Sequence, residues 1–288
     1  MPTKTVQIEA ASEPFDLAEI IDSGQVFHWE KFTYRGIDGF AGRIGDSAPV
    51  WIGQNESGRV HTLPGRENEV ARYFGLDHSI EAIHDTFPKN DPFLEQSIAF
   101  CPGLRLIRQP TWECLATFIT SSLKQVAHIR AISLTLRERF GEAASWEGRT
   151  YYAYPTPEAL LNAGEDALRE CALGYRAKSL HLAARMIHEK EIDLDLLNQL
   201  DASEAVSELT RLHGVGEKIA HCALLFGDQR WEMFPIDVWI ERVLRKPYRK
   251  RVKGAKLQKW AMDYFGSNAG YAQQYLFHFA RKSVSVKQ

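Results

Sequence analysis

The 288-residue sequence lacks the features that mark membrane and secreted proteins. It contains no run of about 18 apolar residues, which excludes a membrane-spanning helix. Residues 1–5 lack the apolar core of a secretory signal, so we expect an intracellular protein. The shares of hydrophobic residues (44%) and charged residues (25%) are those of an ordinary globular chain.

Cysteine is scarce and widely spaced. The four cysteines form no C-x-x-C pair and lie at Cys101, Cys114, Cys171 and Cys222. Zinc sites and iron–sulfur clusters need closely spaced cysteine ligands, so neither is expected. In an intracellular chain, four reduced thiols are the default.

The sequence as a whole has no excess of positive charge, since its net charge is −2. However, nine Lys or Arg residues and no acidic residue lie between Arg242 and Lys259. Such a patch can neutralise phosphates while acidic surfaces elsewhere balance the total charge. A solvated helix face would give the same run of charge, and residues 249–253 also fit a nuclear-localisation signal.

The hydrophobic pattern changes along the chain. Short β-prone runs, separated by Gly, Asp, Asn and Ser, cover residues 26–29, 40–44, 50–52 and 60–63. They predict an antiparallel meander. Residues 67–74 then predict a helix, and a second helix start is expected at Asp77 or Ser79.

From about Phe93 onward the pattern is helical. Apolar residues between Trp112 and Phe140 recur at a spacing of about 3.6. Thr156, followed by proline, is a typical helix start, and residues 201–204 have the form of a capping box.

These patterns predict an α+β protein of two domains. Residues 1–92 form an N-terminal antiparallel β-sheet domain, and residues 93–288 form a mostly α-helical domain. The sequence contains no obvious internal repeat or low-complexity tract.

The most informative segment surrounds two closely spaced glycines. A helix ends near Leu212, a tight turn follows through Gly214, Val215 and Gly216, and a second helix begins at once. Glycines let backbone N–H groups approach a phosphate beside the positive end of a helix. Residues 203–227 therefore predict a helix-hairpin-helix, a sequence-nonspecific grip on the DNA backbone in which these three turn residues bind phosphate.

Two charged residues accompany this hairpin. Lys218 lies in the first turn of the second helix, where the helix dipole disfavours the charged ammonium and so favours an amine nucleophile. Asp237 follows a helix-breaking proline and is a plausible N-cap for the next helix. Its carboxylate could stabilise a positively charged sugar formed as a base departs. A surface lysine and an ordinary helix cap would show the same pattern, so the two residues alone do not decide the function.

Residues 15–281 resemble the HhH-GPD superfamily of DNA glycosylases, and within it the 8-oxoguanine DNA glycosylases. The hairpin with Lys218 and the later P-I-D of Asp237 are similar to the family's catalytic signature. The resemblance implies that the N-terminal domain is the TBP-like half of the glycosylase fold. It also implies a bifunctional glycosylase and AP lyase that removes 8-oxoguanine and related oxidised purines from double-stranded DNA. Lys218 would form a Schiff base with the sugar and permit β-elimination, with assistance from Asp237.

Further segments resemble the family's pocket for the damaged base. In S-G-Q-V-F-H-W the resemblance assigns to the Gly24 carbonyl a hydrogen bond from the N7–H of 8-oxoguanine. Cys222 would pack on one face of the base, Phe277 would stack on the other, and Gln273 would read its Watson–Crick edge. Helix geometry agrees, because Lys218 and Cys222, like Gln273 and Phe277, are four residues apart and share a helix face.

Other positions correspond to residues that act on the DNA around the lesion. The segment G-Y-R-A-K resembles a loop whose tyrosine, here Tyr175, wedges into the duplex and whose arginine, here Arg176, contacts the unpaired partner base. Leu123 and His128 fall where the family carries an asparagine and an arginine that read the opposite cytosine. This departure puts a strict preference for cytosine in doubt. Trp239 stands where a phosphate-contacting histidine is common.

The resemblance implies no cofactor other than a monovalent cation at backbone carbonyls of the hairpin. It also implies a monomer that acts on DNA, in the cytoplasm of a bacterium, at the nucleoid, or in the nucleus of a eukaryote. Two alternatives stay open. A monofunctional alkylpurine glycosylase would keep the aspartate and lack the lysine. A catalytically silent helix-hairpin-helix module would bind duplex DNA with a steep salt dependence and no cleavage.

Overall fold

The computed structural model describes residues 4–8, 13–121 and 125–285. Its N-terminal part contains a five-stranded antiparallel sheet. The strands are β1 (Val6–Gln7), β2 (Glu30–Lys31), β3 (Gly39–Gly42), β4 (Val50–Gln54) and β5 (Val60–Thr62), and their order in the sheet is β1-β5-β4-β3-β2. Strands β2 to β5 form an antiparallel meander, of which β3 to β5 lie at the β-prone runs of residues 40–44, 50–52 and 60–63. Strand β1, which the sequence pattern does not indicate, pairs with β5 at the edge.

The prediction of a strand at residues 26–29 is wrong, since β2 begins only after this segment. The segment is apolar because it is buried. The Trp29 ring is 1% exposed and lies 5.6 Å from the Tyr73 ring and 5.1 Å from the Phe74 ring, measured between centroids. An irregular buried segment and a buried strand give the same short apolar run, so the pattern alone does not distinguish them.

The rest of the chain is mainly helical, which confirms the predicted fold class. The α-helices of the described residues are α1 (Leu17–Asp22), α2 (Glu67–Tyr73), α3 (Ile80–Asp85), α4 (Pro92–Phe100), α5 (Thr111–Ser121), α6 (Val126–Phe140), α7 (Pro157–Leu168), α8 (Arg176–His188), α9 (Ala202–Thr210), α10 (Glu217–Phe226), α11 (Val238–Arg245), α12 (Ala255–Phe265) and α13 (Ala269–Ser285). In the described part of the chain, no helix combines the length and the apolar character needed to cross a membrane.

The predicted helix starts are confirmed by their capping hydrogen bonds. The Thr156 hydroxyl accepts from the Ala159 amide at the start of α7. Asp201 and Glu204 form a reciprocal capping box at the start of α9. Of the two residues proposed for α3, Ser79 is the cap.

A β-hairpin lies within the helical part, where the sequence analysis predicts only helices. Its strands are β6 (Ala143–Trp146) and β7 (Arg149–Tyr152), joined by a two-residue turn with positive φ at both positions. Trp146 packs on Phe32 and Tyr34, each with ring centroids 5.1 Å apart. This hairpin therefore attaches the helical part to the N-terminal sheet through an aromatic cluster.

One large hydrophobic cluster also runs from the sheet into the helices. It includes Ile52 of β4, Phe74 after α2, Leu115 of α5 and Tyr275 of α13, all 0–1% exposed. Because this core continues past residue 92, the boundary between two domains at that position stays a prediction.

A buried ion pair lies where the irregular segment, two helices and the hairpin meet. The Arg137 guanidinium donates to Glu113 Oε1, and both side chains are at most 4% exposed. Arg137 also donates to the Tyr152 carbonyl at 3.1 Å, and His28 Nδ1 lies 3.5 Å from the same glutamate oxygen. Burial raises the pKa of Glu113 against the opposing effect of Arg137, and burial lowers the pKa of His28 well below its usual value.

Replacing Glu113 by alanine should destabilise the protein strongly, because it leaves the Arg137 charge buried without its partner. The expected loss in the free energy of unfolding is about 3–5 kcal/mol, measurable by urea denaturation. The control is Glu165→Ala, which removes the exposed ion pair with Arg169 on α7 and should cost less than about 1 kcal/mol. A similar small loss in both variants would contradict the structural importance of the buried pair.

Candidate active site

The predicted helix-hairpin-helix is formed by α9 and α10 and the turn between them. Gly214 has φ +82°, and a Cβ there would lie 2.4 Å from the Ser179 hydroxyl, so the turn needs glycine at this position. Gly216 is the N-cap of α10 and has open space where a Cβ would be. Both glycines are exposed, while Val215 is buried. The first amides of α10 are thus approachable from outside, as an anion-binding helix end requires.

Lys218, the second residue of α10, lies beside three groups. Its Nζ is 4.9 Å from the centroid of the Phe118 ring of α5. It is near enough to the Cys222 thiol and the Asp237 carboxylate to oppose the effect of burial, which raises the pKa of both groups. The structure therefore brings Lys218, Cys222 and Asp237 together, as the sequence analysis predicts.

Asp237 is the N-cap of α11, as predicted. Its Oδ1 accepts hydrogen bonds from the amides of Trp239 at 3.0 Å and Ile240 at 2.8 Å. These bonds fix the carboxylate at the positive end of the helix, where an anion is favoured. The Arg242 guanidinium lies 5.3 Å above the Trp239 ring, so the tryptophan at this position packs beneath a cation.

Gly24 lies directly against Phe277. Its φ is +83°, and a Cβ there would lie 3.3 Å from Phe277 Cε1. The flanking carbonyls are anchored, because Gln274 donates to the Ser23 carbonyl at 3.0 Å and Gln109 donates to the Gln25 carbonyl at 2.9 Å. The direction of the Gly24 peptide is thus held from both sides despite the freedom of glycine.

Gln273 and Phe277 project from α13. Gln273 is 4% exposed, and its Oε1 is buried without a hydrogen-bond partner among the described residues. A buried carbonyl oxygen without a partner is costly, so this amide is suited to a ligand that brings a donor. Phe277 is half-buried, with the Arg281 guanidinium 5.9 Å from its ring.

An aromatic contact connects the residues around Lys218 with the segment that contains Gly24. The Phe118 ring beside Lys218 meets the Phe27 ring edge to face, with centroids 6.5 Å apart, and Phe27 is three residues from Gly24. Phe118 belongs to the apolar repeat between Trp112 and Phe140, which predicts only a helix, and no sequence pattern marks Gln109 or Gln274. Their roles depend on contacts between distant parts of the chain, which helical periodicity does not reveal.

The predicted wedge lies at the start of α8. Tyr175 is 66% exposed, whereas Arg176 is 7% exposed and holds its guanidinium 4.4 Å from the tyrosine ring. Ser179, one turn later, bonds His213 of the hairpin at 3.0 Å, so the wedge and the phosphate-binding turn are tied together. His128 is exposed in the first turn of α6, and Leu123 lies outside the described residues.

Among the described residues, no group of three or more His, Cys, Asp or Glu side chains could hold a metal ion. The four cysteines are buried and free. In the hairpin, the Leu212 carbonyl accepts from the Val215 amide at 3.1 Å, and its second lone pair could face a cation. The monovalent cation stays a prediction.

Two protein-family models match the chain. The N-terminal domain of 8-oxoguanine DNA glycosylases matches residues 7–115, and the HhH-GPD superfamily of base excision DNA repair proteins matches residues 116–259. Together they cover the sheet, the hairpin, Lys218 and Asp237.

Solved structures and curated relatives agree with these matches. The structure of MBOgg1 in complex with a low-affinity DNA ligand is 30% identical, with a TM-score of 0.88 over 98% of this chain and 99% of that one. The Clostridium acetobutylicum 8-oxoguanine glycosylase/lyase, solved with double-stranded DNA containing cytosine opposite 8-oxoguanine, is 29% identical, with a TM-score of 0.87 over 99% and 100%. A probable N-glycosylase/DNA lyase of Methanothermobacter thermautotrophicus is 28% identical over 93% of this chain and 94% of its own.

The contact between Gly24 and Phe277 can be tested by adding one methyl group. Gly24→Ala should lose about 1–2 kcal/mol of stability from its left-handed backbone, and more because Phe277 must move. Gly36→Ala is the matched control, since Gly36 has φ +77° but nothing within 4 Å of its Cβ position. Urea denaturation should give the larger loss for Gly24→Ala, and equal losses would mean that Phe277 yields without cost.

Proposed function

Because the chain belongs to the HhH-GPD superfamily of base excision DNA repair proteins, we propose that it is a DNA glycosylase and AP lyase that excises 8-oxoguanine from duplex DNA. The observation that carries the proposal is the position of Lys218, beside Asp237 and Cys222 and linked through Phe118 to the segment of Gly24. The names of the relatives, 8-oxoguanine glycosylase/lyase and N-glycosylase/DNA lyase, support the same activity.

The damaged base binds at Gly24, Cys222, Gln273 and Phe277. The extrahelical base lies between Cys222 and Phe277, with its N7–H donating to the Gly24 carbonyl. Guanine has no proton at N7, so this hydrogen bond separates the two bases. Gln273 meets the Watson–Crick edge, and its buried Oε1 then gains a donor.

The reaction follows from the positions of the lysine and the aspartate. Lys218 Nζ attacks the sugar C1′ as the bond to the base N9 breaks, and the base leaves with the bonding electrons and takes up a proton. The Asp237 carboxylate stabilises the positive charge on the sugar. The amine loses a proton, the C1′–O4′ bond breaks as O4′ takes up a proton, and the opened sugar is then held to Lys218 as a protonated Schiff base. Removal of a C2′ proton then expels the 3′ phosphate.

The DNA around the lesion meets two exposed features. Backbone amides at residues 214–216 bind phosphate beside the N-terminus of α10. Tyr175 is exposed enough to enter the base stack, which lowers the cost of extruding the lesion. The base opposite the lesion then contacts Arg176 and His128. His128 offers a different set of hydrogen-bond donors from the arginine that the family carries at this position.

The two alternatives account for less of the site. An alkylpurine glycosylase without lyase activity leaves Lys218 and the anchored Gly24 peptide unexplained. A silent DNA-binding module leaves the proximity of Lys218 to Asp237 and the buried amide of Gln273 without a role.

Lys218→Gln should abolish the covalent intermediate. With an 8-oxoguanine duplex, borohydride should trap an enzyme–DNA adduct for the unmodified protein and none for the variant, because glutamine cannot form a Schiff base. Lys89→Gln is the control, since Lys89 is an exposed lysine that pairs with Asp85 and lies outside both the site and the basic segment of residues 242–259, and it should leave trapping unchanged. Trapping that survives Lys218→Gln would refute the mechanism.

The excision rate should depend on the charge of Asp237. Burial raises the pKa of this carboxyl above its ordinary value of 3.8, although hydrogen bonds and Lys218 oppose the shift. The active form is the carboxylate, so the single-turnover rate should fall as the pH decreases through that raised pKa. Asp237→Asn should lower excision by about 100-fold, leave DNA binding nearly intact and remove this acid limb. An acid limb that persists in the variant would assign it to another group.

A further inference from the structure

The last turn of α1 is held against α13 by five charged or titratable side chains, which we call the α1–α13 clamp: Glu19, Asp22, His278, Arg281 and Lys282. Lys282 Nζ lies 2.6 Å from Asp22 Oδ2 and 3.4 Å from Glu19 Oε2. His278 Nε2 lies 2.7 Å from Glu19 Oε2. Arg281 donates to the Asp22 carbonyl and has Nη2 3.4 Å from Asp22 Oδ2.

We call the proposed site of the damaged base, at Gly24, Cys222 and Phe277, the base-binding slot. The clamp is next to two of these residues in the chain, because Asp22 precedes Gly24 by two residues and His278 follows Phe277. The Cβ position of Gly24 is 3.3 Å from the Phe277 ring. A small shift of α1 along or away from α13 would therefore change the distance between the Gly24 carbonyl and the stacking ring.

The exposure of these ion pairs indicates that the α1–α13 clamp fixes the position of α1 on α13 more than it stabilises the whole fold. The Asp22 and Lys282 side chains are 51% and 32% exposed, and exposed ion pairs of this kind contribute little to the stability of the fold. His278, in contrast, is 1% exposed and carries the contact with Glu19 into the protein interior. Several charge-assisted bonds converging on one short helix fix its register, even where each contributes little to stability.

We propose that the α1–α13 clamp sets the position of Gly24 relative to Phe277 in the base-binding slot, so that its members are positioning residues for base excision. The inference rests on the proposed glycosylase and lyase activity. It makes a separable prediction, because cleavage at a preformed abasic site needs Lys218 but places no base in contact with Gly24 and Phe277. The clamp should therefore matter for excision and not for strand cleavage.

The test compares these two reactions in the same protein preparations. Asp22→Asn and Lys282→Met should slow single-turnover release of 8-oxoguanine on the order of ten-fold, the effect of a sub-ångström misplacement of a reacting group. Borohydride trapping and cleavage of an abasic-site duplex should stay at the rate of the unmodified protein. Lys282→Arg keeps the charge and should restore excision. Glu165→Gln, which removes an ion pair on α7, should change neither reaction.

Each other outcome overturns the inference. Equal loss of excision and abasic-site cleavage would mean that the clamp supports the whole fold and not the slot. Unchanged excision in Asp22→Asn and Lys282→Met would mean that Gly24 and Phe277 keep their relative position without the clamp. Absence of both reactions in the unmodified protein would refute the proposed function itself, and the inference with it.

Discussion

The packing of α10 on α5 is the constraint on which the site depends. Both helices are buried over most of their length, and the Cys114 thiol of α5 lies 3.7 Å from the Cys222 carbonyl of α10. This close approach leaves the first turn of α10 at the edge of the interface. Lys218 therefore has its Nζ above the Phe118 ring and is partly buried, while the hairpin before it is exposed to solvent. The residues that bind the DNA backbone and the lysine that attacks the sugar are thus both held by α10, which is fixed by its packing on α5.

Much of this arrangement could be predicted from the sequence, because it depends on local signals. Helix caps at Thr156, Asp201 and Asp237 and the two hairpin glycines act within a few residues of themselves, and the structure has them where the sequence indicates. The grouping of Lys218 with Asp237 and of Gly24 with Phe277 came from the family resemblance, since nineteen residues separate the first pair and about 250 the second.

The features that sequence analysis missed depend on contacts between distant segments. Residues 26–29 have strand-like composition, yet burial of Trp29 among aromatic rings sets their conformation. The hairpin of β6 and β7 is stabilised by aromatic side chains of the N-terminal sheet. The Glu113–Arg137 pair gives no signal in a sequence, because a buried charge and a solvated one look alike until the packing is known. In each case, tertiary contacts decide between structures that the local sequence pattern predicts equally well.

The two family models meet between residues 115 and 116, and this junction falls inside α5. Glu113, which forms the buried ion pair with Arg137, lies before this junction. Phe118, whose ring packs beneath Lys218, lies after it. A chimera that joined the first part of one relative to the second part of another would divide a single buried helix between two parents. The segments that the two family models match should therefore be exchanged together, in engineering or by recombination, although each model matches a separate part of the chain.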